Sequence, residues 1–105
     1  MALAITDQNF NELLNEGKPM VIDFGADWCG PCRLLSPVID ELAVKYEGRV
    51  IIGKVDVDNN NLIVSQFGIR NVPTVLFFNK DKEMVDKQVG ATQKAAFIEK
   101  IEKLL

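Results

Sequence analysis

An apolar run, Met20 to Ala26, leads almost directly into two cysteines, Cys29 and Cys32, and then into a helical pattern; this junction limits the possible folds more than any other feature. A short unbroken apolar run of this kind reads as a strand buried on both faces of a sheet. From about Pro31 to Tyr46 the residues Leu34, Leu35, Val38, Ile39, Leu42 and Tyr46 recur at helical spacing, which predicts a helix with those residues on its inner face and Gly48 closing it. Val50 to Val57 is a second apolar run. Its parallel pairing with the first run across the helix predicts a right-handed βαβ unit.

The flanking segments extend this core. Leu3 to Ile5 is a short apolar start, after which Thr6 or Asp7 can cap a helix carrying Phe10, Leu13 and Leu14 and ending at Gly17. A shorter helix is expected near Asn60 to Phe67, stopping at Gly68. Thr74 to Phe78 and Met84 to Val89 read as an antiparallel hairpin turned at Lys80 to Lys82. Thr92 can cap a last helix whose Phe97, Ile98, Ile101, Leu104 and Leu105 form an apolar stripe. The expected order is β-α-β-α-β-α-β-β-α, an α/β fold in which four helices flank a sheet. At 105 residues and 48% hydrophobic content the chain suits a single domain over residues 1–105.

Several function classes are disfavoured at this stage. The net charge is -3 and the Lys and Arg residues are scattered, so no basic surface for nucleic acid is expected. The longest apolar stretch, around Val72 to Phe78, is far short of the ~20 residues that a membrane-spanning helix needs. Met1 to Phe10 holds no Lys or Arg and no apolar run of signal-peptide length, which points to the cytosol. In a reducing compartment two cysteines are too few for a disulfide scaffold, so their use is expected to be chemical.

Cys29-Gly30-Pro31-Cys32 falls where the strand hands over to the helix, which places both sulfurs in the first helical turn. Unpaired backbone N–H groups and the positive end of the helix dipole favour a thiolate there. Cys29, outermost, is the natural nucleophile, and Cys32, one turn inward, is positioned to resolve. Pro31 lacks an N–H that the first turn would leave unused, and Gly30 leaves room for a substrate backbone. Half a zinc site and two incidental core thiols are the competing readings. A closed zinc site wants four ligands, whereas the chain has two Cys and no His.

Trp28-Cys29-Gly30-Pro31-Cys32, Asp23 upstream, Pro37 within the helix, Val72-Pro73-Thr74 and Val89-Gly90 together resemble the thioredoxin family over essentially the whole chain. That resemblance implies the thioredoxin fold, with a central mixed five-stranded sheet flanked by four helices. It also implies a protein disulfide reductase serving cell redox homeostasis through Cys29 and Cys32, recharged by an NADPH-dependent thioredoxin reductase. No cofactor is then bound to the chain, and a monomer is expected. Asp23 is a carboxylate in a buried strand, so its pKa should be raised. The resemblance gives it the role of proton acceptor for the inner cysteine, assisted by Lys54. It further implies a cis bond before Pro73, and a flat docking surface of Trp28, Gly30, Pro31, Val72, Pro73, Gly90 and Ala91. Pro37 is read as a structural kink.

Two departures from the family pattern stand out. Gly25 occupies a position that is commonly aromatic, which removes apolar contacts beside the motif and bears on stability, water access to Asp23 and redox potential. The turn Asn79-Lys80-Asp81-Lys82 is one residue longer and lacks the customary Gly. Two other functions stay open on sequence alone: a binding subunit indifferent to redox state, and an oxidant or isomerase of secreted proteins, which the absent export signal and the Gly-Pro dipeptide disfavour.

Overall fold

Met20, Val21, Ile22 and Phe24 are all completely buried, a condition that only a strand covered on both faces satisfies. The computed structural model describes residues 2–105; Met1, where the expected domain begins, lies outside them. The elements are β1 (Leu3–Ala4), α1 (Phe10–Leu14), β2 (Met20–Gly25), α2 (Gly30–Lys45), β3 (Ile51–Asp56), α3 (Asn61–Gln66), β4 (Thr74–Phe78), β5 (Met84–Val89) and α4 (Lys94–Glu102). The five strands form one sheet in the order β1-β3-β2-β4-β5. β3 runs parallel to both β1 and β2, while β4 is antiparallel to β2 and to β5. This is the mixed sheet and four-helix complement expected from the sequence.

Strand alternation divides the core between the two faces of the sheet. Val21, Ile52, Val75 and Phe77 pack with Leu35, Ile39 and Leu42 of α2, with Tyr46 at its C-terminal cap, and with Phe97 and Ile101 of α4. Met20, Ile22, Phe24, Leu76 and Phe78 point the other way, against Phe10 of α1 and Ile63 of α3. Asp23 and Gly25 share the parity of Val21 and so face α2. Tyr46 closes α2 against α4 by donating its hydroxyl to Glu102 at 2.6 Å.

Four expectations need correction. Leu34 is 78% exposed rather than on the inner face of α2, because the buried row is Cys32, Leu35, Ile39 and Leu42 and Leu34 lies to one side of it. Asp7 does not cap α1; its two carboxylate oxygens accept the Leu62 and Ile63 amides at 3.2 and 2.9 Å and so cap α3. Thr6 braces the turn ahead of α1 instead, its Oγ1 accepting the Asn9 amide at 3.2 Å. Thr92 caps nothing, since α4 begins after Gln93 without a side-chain cap, and Leu105 at the end of the apolar stripe is exposed. In the β4–β5 turn Lys82 adopts a φ of 71°, the left-handed conformation that a glycine would take without steric cost.

Candidate active site

The passage from β2 to α2 takes only residues 26–29, so the start of α2 is held directly beside the end of the central strand. Cys29 is the N-cap of this 16-residue helix, with extended backbone at φ -93° and ψ 113°. Its Sγ accepts the Cys32 amide N–H at 3.2 Å, as an oxygen-bearing cap would. Pro31 occupies the first turn, where its missing N–H leaves no carbonyl unpaired. The helix starts at Gly30, one residue before the expected boundary.

Cys29 and Cys32 are joined as a disulfide with their Cα atoms 5.3 Å apart. The two residues are equally hidden, at 5% and 6% exposure, so accessibility does not set Cys29 outermost in this oxidised form. Their surroundings do differ. Cys29 Sγ lies 3.8 Å from the Val72 carbonyl oxygen, whereas Cys32 faces Gly25 and lines a cleft that Asp23 also lines.

On the Cys29 side the structure gathers most of the expected docking surface. Val72 packs against Ala26, Cys29 and Cys32, and the Val72-Pro73 peptide is cis, as the family resemblance implied. The Gly90 amide donates to the Pro73 carbonyl at 2.8 Å, with Gly90 at a φ of 85°, and this bond draws Gly90 and Ala91 to the same side. Trp28 is 67% exposed, and its indole Nε1 donates to Asp58 Oδ2 at 2.9 Å. Pro31 and Ala91 are exposed, and Gly30 is half-buried. Asp58 was not anticipated. The indole and the carboxylate come from segments thirty residues apart in sequence, and no local pattern announces their meeting.

On the Cys32 side, Asp23 is 4% exposed and its Oδ1 has no hydrogen-bond partner. Burial pushes its pKa from 3.8 up to about 6, with the positive charge of Lys54 opposing the rise. Asp23 and Lys54 are register partners across β2 and β3. The Lys54 ammonium turns to other groups, however: it forms an ion pair with Asp40 Oδ1 at 3.0 Å and donates to Ser36 Oγ. Lys54 therefore acts on Asp23 through space rather than by a bond. The Ala2 amide, together with Lys54, holds the Asp40 carboxyl below the usual carboxylate range. Cys32, Ser36 and Asp40 recur every fourth residue along α2, and this spacing was the available signal that Ser36 and Asp40 share the face of the inner cysteine.

Among the described residues no cluster of three or more His, Cys, Asp or Glu is placed to hold a metal ion. Nor is any helix among them long and apolar enough to cross a membrane.

Comparison with known proteins gives a consistent result. The thioredoxin family model matches residues 1–103. Thioredoxin 1 of Nostoc sp. is 44% identical over 105 residues, covering 99% of this chain and 97% of that protein. Thioredoxin 1 of Synechococcus elongatus is 43% identical over 106 residues, covering 100% and 98%. Thioredoxin 2 of Chlorobaculum tepidum is 49% identical over 98 residues, covering 92% and 89%.

Proposed function

Because this chain belongs to the thioredoxin family, and is a thiol-disulfide oxidoreductase whose redox element is its own Cys29–Cys32 pair, we propose the following division of labour within one domain spanning residues 1–105. In the reduced protein the Cys29 thiolate attacks a substrate disulfide, forming a mixed disulfide and releasing one substrate sulfur as a thiolate. Cys32 then gives its proton to the Asp23 carboxylate and attacks Cys29 Sγ. The second substrate sulfur leaves, and the Cys29–Cys32 disulfide remains.

The observation that carries this reading is the 3.2 Å hydrogen bond from the Cys32 amide to Cys29 Sγ at the start of α2. A donor fixed at that position stabilises negative charge on the Cys29 sulfur before any substrate arrives. The pKa of Asp23 supports its part. A carboxylate at 3.8 is a weak acceptor for a thiol proton near ~8.5, and raising it to about 6 narrows the uphill transfer by ~3 kcal/mol. Lys54 tempers that rise. Trp28, Gly30, Pro31, Val72, Pro73, Gly90 and Ala91 supply the docking surface, with main-chain contacts orienting substrates of varied sequence.

Substrates of the family are protein disulfides. For this chain we further infer recharging by an NADPH-dependent thioredoxin reductase, a monomeric state, a cytoplasmic setting and a part in cell redox homeostasis. The test is insulin disulfide reduction driven by dithiothreitol. The native chain is expected to accelerate precipitation, while Cys29→Ser falls to the uncatalysed rate. Equal rates for the two would remove the proposed nucleophile. A double Cys29→Ser, Cys32→Ser chain that kept full biological activity would favour the redox-independent binding role.

A further inference from the structure

We propose that the cleft over Gly25 is a second entrance to the disulfide, through which a small hydroxyl-bearing thiol, with no charge beyond that of its thiolate, attacks Cys32 directly. The inference rests on the reading of Cys29–Cys32 as the redox centre. A Cβ added to Gly25 would lie 3.4 Å from both Cβ and Sγ of Cys32, so the space left by the missing side chain reaches the inner sulfur at contact distance. The cleft measures about 160 Å³ and is lined by Cys32 but not by Cys29. A cleft of this size admits a molecule of a few heavy atoms.

The lining defines what enters. Asp23 Oδ1, buried and without a partner, offers an acceptor for a hydroxyl group. Asp23, Asp27 and Asp56 outnumber Arg33 and Lys54 in the lining, and Lys54 is already neutralised by Asp40. Arg33 also lines the cleft, and its guanidinium donates to the Asp27 carbonyl at 2.9 Å. A thiol that carries carboxylates in addition to its thiolate therefore meets an electrostatic barrier, and a bulky one meets a steric barrier as well.

The exchange balances on one added thiolate. Its sulfur bonds to Cys32 Sγ, the Cys29–Cys32 bond breaks, and Cys29 leaves as a thiolate with the electron pair. This direction of cleavage suits the site, because the departing sulfur already accepts the Cys32 amide at 3.2 Å. A second thiolate then attacks the sulfur of the first, the bond to Cys32 breaks, and Cys32 leaves as a thiolate that takes a proton from solvent, which completes the reduction and releases a small disulfide.

The experiment treats the oxidised full chain briefly with 2-mercaptoethanol, quenches with acid, blocks free thiols and locates the adduct by tandem mass spectrometry. The adduct is expected on Cys32, at least tenfold over Cys29. Gly25→Trp, which fills the cleft, is expected to slow opening at least tenfold, and Gly25→Ala to slow it by a smaller factor. Glutathione at equal thiolate concentration should open the native disulfide at least tenfold more slowly. An adduct mainly on Cys29, or opening rates unchanged in both Gly25 variants, overturns the proposal; equal rates with the two thiols overturn its size and charge selectivity. If Gly25→Trp fails to fold, the adduct position and the Gly25→Ala rate decide. Insulin reduction by the native chain is measured in parallel. Its failure would sink the redox-centre reading itself, whereas its success with a Cys29 adduct would sink only the second entrance.

Discussion

Val21 and Asp23 point to the same face of β2, toward the same helix, yet one is packed and the other is left unsatisfied. Val21 is completely buried among Leu35, Ile39, Leu42 and Phe77. Asp23 is nearly as buried, but it borders a cleft of about 160 Å³ and its Oδ1 bonds to nothing. The first arrangement maximises apolar contact, and the second keeps a costly carboxylate on the cleft that Cys32 also lines, where we propose that it accepts the sulfur's proton. The site end of the strand is thus held in place by stability generated at the other end.

The largest test of this contrast lies in the packed half. Phe77→Ala removes a fully buried ring that stacks on Phe97 at 6.4 Å, and should cost ~4 kcal/mol of unfolding free energy in urea titration. A loss below ~1 kcal/mol would mean that this half is not close-packed, and the contrast would fail. Next comes Asp23. Its folded pKa of about 6 lies above the unfolded value of 3.8, so the folded state holds the proton more tightly. Stability is then fully present below pH 3.8 and falls by ~3 kcal/mol as pH rises through 6, at about 1.4 kcal/mol per pH unit. Urea midpoints of the oxidised protein between pH 4 and 7 should show this decline, and Asp23→Asn should flatten it. Asp40 and Asp86, whose pKa values are lowered, act in the opposite sense and in a separate window, losing stability as pH drops below the ordinary carboxylate range.

Smaller effects sharpen the picture. Asp7→Ala frees the Leu62 and Ile63 amides at the start of α3, and should lower stability by ~1 kcal/mol without changing its slope with pH. Lys54→Met removes the charge that opposes the rise at Asp23, so the acid limb of insulin reduction should move to higher pH. A shift to lower pH would mean that Lys54 acts on Asp23 mainly by some route other than its charge.

Sequence reading recovers the frame because the frame is written in local patterns. The unbroken apolar runs of β2, β3 and β4 and the helical row of Leu35, Ile39 and Leu42 each declare their element, and the hairpin agrees with its predicted ends residue for residue. Cys29 and Cys32 are legible for the same reason, since their meaning comes from a strand-to-helix junction. What escapes notice depends on partners far along the chain. Asp7 is a plausible cap for the helix next to it until residues some 55 positions away claim both of its oxygens. Family resemblance links Lys54 to Asp23, and its charge does act there, but no local pattern announces that the ammonium pairs with Asp40 across the α2–β3 interface. Leu34 misleads in another way, for a helical row read without knowledge of the packing axis is one residue too wide.

β2 is the middle strand of five, with β1 and β3 to one side and β4 and β5 to the other. The fluctuations that open a sheet begin at its margins, so they must unzip two strands from either direction before they reach Asp23. Amide exchange should consequently slow from β1 and β5 inward. A reacting strand placed at the centre is insulated from the breathing of the edges, and the carboxylate and the sulfur keep their spacing while the periphery moves.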